Sequence, residues 1–333
     1  MKAIVYSQNG LPISDENALY DLDVAQPQPG ARDLLVKISA IAVNPVDTKV
    51  RHGAPTDKPR ILGWDAVGVV EAVGSDVTLF QPGDEVFYAG DITRAGSYAE
   101  YGLVDERIAG VKPRSLNDAD AAALPLTSLT AWELLFDRLA IEAEDNAALL
   151  IIGAGGGVGS ILTQLARKLT NLTVIGTASR PETAQWVREL GAHHVVNHQQ
   201  PLAEQLASIG HPQVRYVASL THTDRYYTQL VDVLAPQGKL ALIDDPDTLD
   251  VVPLKRKAIS LHWELMFTRS LFQTADMQRQ HDILQRVSQL IDDQTLKTTA
   301  GEHHGQINAA NLRKAHALIE SGRARGKIVL SGF

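Results

Sequence analysis

The sequence predicts an α/β protein of two domains, one rich in antiparallel strands and one built on a doubly wound parallel sheet. The chain has 333 residues, more than a single domain usually contains. Up to about residue 125, short β-branched runs are separated by Gly, Pro and Asp, which is typical of antiparallel strands joined by tight turns. From residue 126, strand-like apolar runs alternate with helical periods, which is typical of a parallel sheet covered by helices.

In the β-rich part, strands are predicted at residues 34–38, 67–73 and 85–88. QPGD at 81–84 predicts a tight turn, because proline presets φ and glycine accepts a positive φ. After residue 268 the pattern predicts helices at 277–292 and 309–321 and a final strand at 327–330. We expect this last strand to rejoin the first domain. The predicted domains are therefore residues 1–125 with 269–333, and residues 126–268.

In the second domain, Pro181 at a helix start and Gly191 after its end follow the usual preference for proline at the beginning and glycine at the end of a helix. The predicted helices are 157–170, 181–190 and a segment near 224–235. The predicted strands are 148–152, 173–177, 195–196, 216–220 and 240–243. This succession predicts a Rossmann-type sheet.

The composition excludes several classes of protein. The net charge is −8 and no concentrated basic face is visible, so a nucleic-acid partner is not expected. The chain has no cysteine, which removes disulfides, thiolate nucleophiles and cysteine-containing metal sites. No apolar run approaches about 18 residues, and the first residues have the pattern of a strand rather than of a signal peptide. We therefore expect a cytoplasmic protein without a membrane partner.

The sequence GAGGGVGS at 153–160 lies between a predicted strand and a predicted amphipathic helix. Glycines let the backbone approach a pyrophosphate, and the free N–H groups at a helix start hold its charge. In the G-x-G-x-x-G frame an alanine takes the first glycine position. A tight turn that binds nothing is the alternative, but it would not need five glycines in seven residues. The predicted phosphate cradle is Ala154, Gly155, Gly156, Gly157, Val158 and Gly159.

The end of the next predicted strand bears on the choice of cofactor. A site for NAD has Asp or Glu about 20 residues after the glycines, bonded to the ribose. Here residues 175–180 read IGTASR, and the first acid is Glu182. Ser179 and Arg180 can donate to a 2′-phosphate instead, so the sequence predicts NADPH. The alternative is that Arg180 is only a solvated residue at a helix start.

Seven segments, taken in chain order, form one recognisable set. They are NPVD at 44–47, LGWDAVGVVEAVG at 62–74, PGD at 82–84, GSYAEY at 96–101, LTAW at 129–132, the glycine turn, and GRARGKIVL at 322–330. The set resembles the zinc-type alcohol dehydrogenases and quinone oxidoreductases of the medium-chain dehydrogenase/reductase superfamily. This resemblance implies a GroES-like catalytic domain, a Rossmann domain, a cleft between them for nicotinamide and substrate, and a homodimer joined along the Rossmann sheets.

The sequence differs from the zinc enzymes at the residues that bind the metal. In those enzymes a Cys stands at the position of Asn44, a His at the position of Trp64, a second Cys near residues 126–127, and a four-cysteine lobe after residues 83–84. All are absent here. Asp47 and Asp65 cannot hold a catalytic zinc without His or Cys. The sequence therefore predicts a zinc-free member with no metal ligand.

The resemblance also implies roles for individual residues. It places Asn44 beside the nicotinamide or its ribose, Thr130 at the nicotinamide end, and His198 near the adenosine phosphate. We predict Asn44, Asp47 and Thr130 as the catalytic residues. The alternatives are an Asx-turn before Pro45 for Asn44, a helix hydroxyl for Thr130, and a surface histidine for His198.

Three further residues are predicted to line the substrate pocket: Trp64, His262 and Phe267. The segment 262–267 has a second interpretation, a buried aromatic strand. Tyr98, in the glycine-flanked segment 96–101, is expected to pack rather than to act as an acid.

The predicted lack of zinc limits which substrates the protein can reduce. Without a Lewis acid, an ordinary ketone is hard to reduce because the growing alkoxide needs a strong donor. In a quinone or an α,β-unsaturated carbonyl the charge delocalises as hydride adds at carbon. The sequence therefore predicts an NADPH-dependent oxidoreductase acting on such small molecules. The alternatives are a zinc-free alcohol or aldehyde reductase, and a non-catalytic NADPH-binding sensor or structural protein.

Overall fold

A computed structural model describes all 333 residues. The chain forms two compact units, Met1–Leu129 with Phe267–Phe333, and Thr130–Met266. The strands are β1 (Lys2–Tyr6), β2 (Tyr20–Asp23), β3 (Asp33–Val43), β4 (Arg60–Ile61), β5 (Ala66–Val73), β6 (Glu85–Tyr88), β7 (Tyr101–Asp105), β8 (Ala109–Val111), β9 (Ala148–Ile152), β10 (Thr173–Thr177), β11 (His194–Val196), β12 (Val214–Ser219), β13 (Leu234–Leu242), β14 (Ser260–Trp263), β15 (Ala300–His303) and β16 (Lys327–Ser331). The helices are α1 (Pro45–Gly53), α2 (Asp118–Ala122), α3 (Pro125–Trp132), α4 (Gly157–Leu169), α5 (Pro181–Glu189), α6 (Leu202–Ser208), α7 (Thr223–Val233), α8 (Thr268–Leu271), α9 (Arg279–Asp292) and α10 (Ala309–Glu320).

The first unit contains two sheets. A three-stranded antiparallel sheet has the order β2-β1-β4, and a seven-stranded sheet has the order β15-β16-β3-β5-β6-β8, with β7 also paired to β3. Strand β16 pairs antiparallel with β3, with Val329 opposite Ala42. The last strand of the chain therefore belongs to the first unit and lies beside the strand that leads into α1.

The second unit is a six-stranded parallel sheet in the order β11-β10-β9-β12-β13-β14. The strand order reverses between β9 and β12, and ligands of open α/β sheets bind at the carboxyl ends of the strands near such a reversal. Every residue of β9 is buried, as expected of a central parallel strand covered on both faces. The predicted α/β fold with a doubly wound parallel sheet is confirmed.

Two parts of the second unit differ from the prediction. Strand β13 begins at Leu234, not at residue 240, because the apparent loop at 235–238 continues the strand irregularly: Gln237 has φ +60°, and the β12–β13 pairing shifts register. Helix α3 runs directly into a π-helix, Glu133–Arg138, which the apolar pattern does not distinguish from an α-helix. The division between the two units falls inside α3, where no break in the sequence marks it.

Candidate cofactor and catalytic sites

The glycine turn joins β9 to α4. Gly153 has φ +81°, and its N–H donates to Thr177 Oγ1 at 3.1 Å. A Cβ on Gly159 would lie 2.4 Å from the Gly153 oxygen, and one on Gly155 would lie 2.2 Å from a methyl carbon of Thr183. A Cβ on Gly156 would meet only the Gly153 oxygen, at 3.5 Å. Packing of the chain itself therefore explains Gly155 and Gly159, whereas the space beside Gly156 is open.

The open space beside Gly156 suits an anion. Gly156 is the N-cap of α4 and supplies no capping side chain, so the first amides of the helix keep their hydrogen-bonding capacity for a ligand. The turn also follows β9, next to the reversal in strand order. The structure brings the predicted cradle, residues 154–159, into one turn whose shape fits a pyrophosphate.

The ends of β10 and β11 bring Ser179, Arg180 and His198 together. Thr177 is the register partner of Val196, and the Ala178 N–H donates to the Val196 oxygen at 3.0 Å. Residues that directly follow two paired parallel strands lie side by side. Arg180 Nε lies 3.5 Å from the Glu182 carboxylate at the start of α5. The three residues predicted to hold the adenosine phosphate thus share one edge of the sheet.

His198 is half-buried and lies in a basic environment. Burial lowers its pKa first, and the positive charges of Arg225 and His222 lower it further. Its ring meets Tyr226 edge to face, with centroids 5.8 Å apart. The sequence did not single out Arg225 or His222, because helix α7 was predicted only approximately.

In the first unit, Asn44 lies in a buried hydrogen-bond network and is 1% exposed. Its Nδ2 donates to the Trp64 carbonyl at 3.2 Å and to Asp65 Oδ2 at 2.8 Å. Its Oδ1 accepts from the Lys327 ammonium, which also donates to Asp65 Oδ2 at 2.9 Å and to the Val43 oxygen at 3.0 Å. A buried ion pair, Lys327–Asp65, is thus tied together by the amide of Asn44.

Asp47 continues this network toward Tyr98. Its Oδ2 accepts from the Asn44 backbone N–H at 2.6 Å and from the Tyr98 hydroxyl at 3.0 Å, and that hydroxyl lies 3.2 Å from His316 Nε2. Burial raises the pKa of Asp47 to about 7 and lowers that of His316 to about 3. Asp47 caps the start of α1, where a carboxylate also suits the helix dipole. Tyr98 is buried and bonded, and burial raises its pKa well above the ordinary value.

The structure thus joins two of the predicted catalytic residues, Asn44 and Asp47. Both are hydrogen-bonded inside the first unit, which gives each a structural function, although Asp47 Oδ1 is buried without a partner. Their catalytic roles stay predictions. Thr130 lies buried in α3 at the start of the second unit. Sequence reasoning missed Lys327, whose signal was a charged residue at the head of the apolar strand KIVL.

The predicted pocket residues divide between the units. Trp64 and Phe267 form a buried edge-to-face pair with centroids 6.0 Å apart, and Trp64 Nε1 donates to the Asp91 oxygen at 3.2 Å. His262 lies in β14 of the second unit, 3.0 Å from Ser260 Oγ. The alternative interpretation of segment 262–267, a buried aromatic strand, holds only in part, because Trp263 is 51% exposed.

A buried carboxyl pair in the second unit was not expected. Glu133 of the π-helix is hydrogen-bonded to Glu264, whose Oε2 also accepts from Arg138 Nε at 2.7 Å. Burial raises the pKa of Glu264 to about 9, and the neighbouring charge of Glu133 acts in the same direction. Both effects favour a proton on Glu264 at neutral pH, against the opposing charge of Arg138. Nothing in the local sequence indicates the pair, because the two residues are far apart along the chain.

Two histidines each approach a single acid: His303 Nε2 lies 3.5 Å from Asp120 Oδ1, and His304 Nε2 lies 3.0 Å from Glu302 Oε2. His193 Nδ1 accepts from the Val174 N–H at 2.9 Å, and the rings of His194 and His211 are 5.7 Å apart. No group of three or more His, Asp or Glu side chains is arranged to hold a metal ion. None of the helices has the length and apolar character needed to span a bilayer.

Comparison with known proteins places this fold and these motifs in a family. Residues 30–114 match the alcohol dehydrogenase GroES-like domain, and residues 190–330 match the zinc-binding dehydrogenase model. A zinc-type alcohol dehydrogenase-like protein of Staphylococcus aureus (strain COL) is 41% identical over 92% of both chains. The chain belongs to the medium-chain dehydrogenase/reductase superfamily. It lies in a quinone oxidoreductase-like branch of that family of oxidoreductases; a quinone oxidoreductase of Lama guanicoe is 37% identical over 61% of this chain and 60% of its own.

Solved structures of the family share the whole fold. A protein of Rhizobium etli CFN 42, described as a zinc-dependent alcohol dehydrogenase, is 53% identical, with a TM-score of 0.96 over 100% of this chain and 98% of its own. A mycobacterial protein in complex with NADPH is 27% identical, with a TM-score of 0.85 over 99% of this chain and 100% of its own. The predicted combination of a GroES-like domain and a Rossmann domain is therefore confirmed.

Proposed function

We propose that this protein is an NADPH-dependent oxidoreductase that transfers hydride to a quinone or an α,β-unsaturated carbonyl, without zinc. The observation that carries the proposal is the edge of the parallel sheet. There an open glycine turn lies beside a strand end that offers Ser179 and Arg180 in place of an acid. NADPH would supply the hydride, and the chain would bind it and orient it toward the substrate.

The choice of NADPH is supported by charge. A carboxylate directly after β10 would bond the ribose hydroxyls of NADH and repel a 2′-phosphate, and none is present. The nearest acid, Glu182, lies on α5 and contacts Arg180 at 3.5 Å. The mycobacterial relative solved with NADPH is consistent with this choice.

The proposed independence from zinc is supported by the residues at the positions of the family's metal ligands. Asn44 presents an amide and Trp64 an indole, and neither group is a zinc ligand. The Asp65 carboxylate is bonded to the Lys327 ammonium and to the Leu126 N–H at 2.8 Å, so its charge is already compensated. The names of the zinc-type relatives would then describe ancestry rather than the chemistry of this chain.

Assembly as a homodimer is part of the proposal. Strand β14 is an edge strand of the six-stranded sheet, and its Trp263 is half-exposed. An edge strand with unpaired backbone groups and an exposed aromatic side chain is suited to pair with a second copy. A cytoplasmic location and roles in substrate binding for Trp64, His262 and Phe267 complete the proposal.

The decisive experiment follows NADPH oxidation against a panel of quinones, α,β-unsaturated ketones and aldehydes, with metal content measured on the same sample. For an enone, deuteride-labelled NADPH should place deuterium on the β-carbon, and a chelator should leave the rate unchanged. Deuterium on the carbonyl carbon would instead identify a carbonyl reductase. Tight NADPH binding without turnover of any substrate would identify a sensor. About one zinc per chain, with activity lost to the chelator, would refute zinc independence.

A further inference from the structure

The turn between β12 and α7 and the first residues of α7, together residues 220–225 and here called the basic turn, carry two basic side chains with no assigned function. His222 and Arg225 are exposed, and the Arg225 guanidinium makes no ion pair. The imidazole of His222 is bonded only to the neighbouring Thr221 hydroxyl, with Nδ1 at 2.7 Å. The Arg225 charge is therefore not neutralised by an ion pair with an acid of the chain.

The basic turn is continuous with the predicted adenosine-phosphate residues. Arg225 Cζ lies 5.7 Å from the centroid of the Tyr226 ring, and this ring packs edge to face on His198. His198 in turn follows β11, beside the end of β10 that carries Ser179 and Arg180. Basic side chains that follow β10, β11 and β12 thus lie along the carboxyl edge of the parallel sheet.

The backbone of the turn is strained at one of these residues. His222 has φ 50° and ψ 41°, a left-handed conformation that is unfavourable for a residue with a side chain and that glycine adopts freely. Asp244 holds the conformation, because its carboxylate accepts from the Thr223 N–H at 2.7 Å and from the Thr223 hydroxyl at 2.5 Å. A glycine would fit this position without strain, so packing does not explain the imidazole.

The same turn abuts the phosphate cradle. A Cβ built on Gly153 would lie 3.0 Å from the Thr221 methyl carbon and 3.6 Å from Leu220 Cβ. The basic turn therefore begins against the first glycine of the cradle, next to the reversal of strand order between β9 and β12. An anionic cofactor seated on the cradle would lie within the field of the Arg225 guanidinium.

We propose that Arg225 is a specificity-determining residue for NADPH, which acts in addition to Arg180 from the segment that packs on His198 through Tyr226. The proposal rests on the proposed function, since it assumes that a dinucleotide occupies the cradle. Arg225 would attract the 2′-phosphate by charge, and its packing against Tyr226 would limit the orientations of the guanidinium. The nearby acids are Glu182, which contacts Arg180, Asp224, which is exposed, and Asp244, whose two carboxylate oxygens accept from Thr223.

The test compares Arg225→Gln with Arg256→Gln, an exposed arginine of the same unit away from the turn. Calorimetric titrations at low salt give the affinity of the native protein and of each variant for NADPH and for NADH. We expect Arg225→Gln to weaken NADPH binding about five- to twentyfold and to leave NADH binding within about twofold. The loss should shrink between about 50 and 300 mM salt, because the contact is exposed. Arg256→Gln should bind both cofactors as the native protein does.

A second variant, His222→Gly, separates this role from a structural one. Removing the left-handed strain should raise the melting temperature, while NADPH binding weakens by about twofold or more. Unchanged NADPH binding in Arg225→Gln, or equal losses for NADPH and NADH, would overturn the proposal. If the native protein binds neither cofactor, the proposed function itself fails, and that result is distinct from the failure of Arg225 alone.

Discussion

Replacing Lys327 by Met should expose how strongly the first unit depends on its buried ion pair. The ammonium is 3% exposed and bonds to Asp65, Asn44 and a backbone oxygen, and Asp65 is fully buried. Removing one partner of such a pair leaves an uncompensated buried charge, at a cost of about 3–5 kcal/mol. Because domains are stable by only about 5–15 kcal/mol, Lys327→Met should remove a large part of the stability at pH 7.

The loss should depend on pH with a definite sign. Burial already raises the pKa of Asp65, and the Lys327 charge opposes that rise, so the variant carboxyl should take up a proton more readily. The native state of the variant then binds a proton that the unfolded state releases above about pH 4. Stability of Lys327→Met should therefore fall more steeply than that of the native protein as the pH rises from 4 to 7.

The assay is urea denaturation of both proteins at pH 5 and pH 7.5, with Lys58→Met as the exposed control. The control should stay within about 0.5 kcal/mol of the native protein. Adding Asp65→Asn to Lys327→Met should recover part of the loss at pH 7.5, because the remaining side chain is neutral. A loss below about 1 kcal/mol at pH 7.5, or a loss equal at both pH values, would refute the reasoning.

Three further predictions concern other parts of the molecule. The pKa of Asp47 is raised from 3.8 to about 7, so between these pH values the native state holds a proton that the unfolded state has lost. Stability therefore declines as the pH rises through this window, and Asp47→Asn should flatten the decline in melting temperature between pH 4 and 7. The pKa of Glu264 is raised from 4.5 to about 9, so stability again declines as the pH rises, over a wider range of pH. Glu264→Gln mimics the protonated form and should raise the melting temperature most at pH 9. A lower melting temperature there would contradict a proton on Glu264. Arg180→Ala should weaken NADPH binding about tenfold to a hundredfold with a smaller effect on NADH, and calorimetry showing equal native affinities for the two cofactors would refute the assignment.

Most strands and helices of the second unit could be predicted from local patterns in the sequence. The strand at 148–152, the glycine turn and the start of α4 are consecutive in the chain, so their apolar runs and glycines specify one strand–turn–helix unit. The same holds for β10 and the start of α5, where proline marks the boundary. The irregular start of β13 was not predicted, because Gly238 and Gln237 have the composition of a turn.

Long-range placement explains what the sequence did not show. Lys327 and Asn44 are 283 residues apart, and nothing near either residue indicates the hydrogen bond between them. Glu133 and Glu264 are also far apart along the chain, and each residue taken alone has the pattern of a solvated acid. Only the return of β16 to β3 places the ammonium at the head of α1.

The position of Asn44 illustrates how one residue can satisfy both the fold and the chemistry that the family resemblance implies. Its two Nδ2 hydrogens are directed to Asp65 and Trp64, and its Oδ1 accepts from Lys327, so the amide cannot rotate without breaking a buried bond. A group held in this way is rigid, and rigidity is what positioning a nicotinamide ring would require. An alanine here would remove the amide that joins a buried cation to a buried anion. A fall in turnover after Asn44→Ala is therefore informative about catalysis only if the variant is as stable as the native protein.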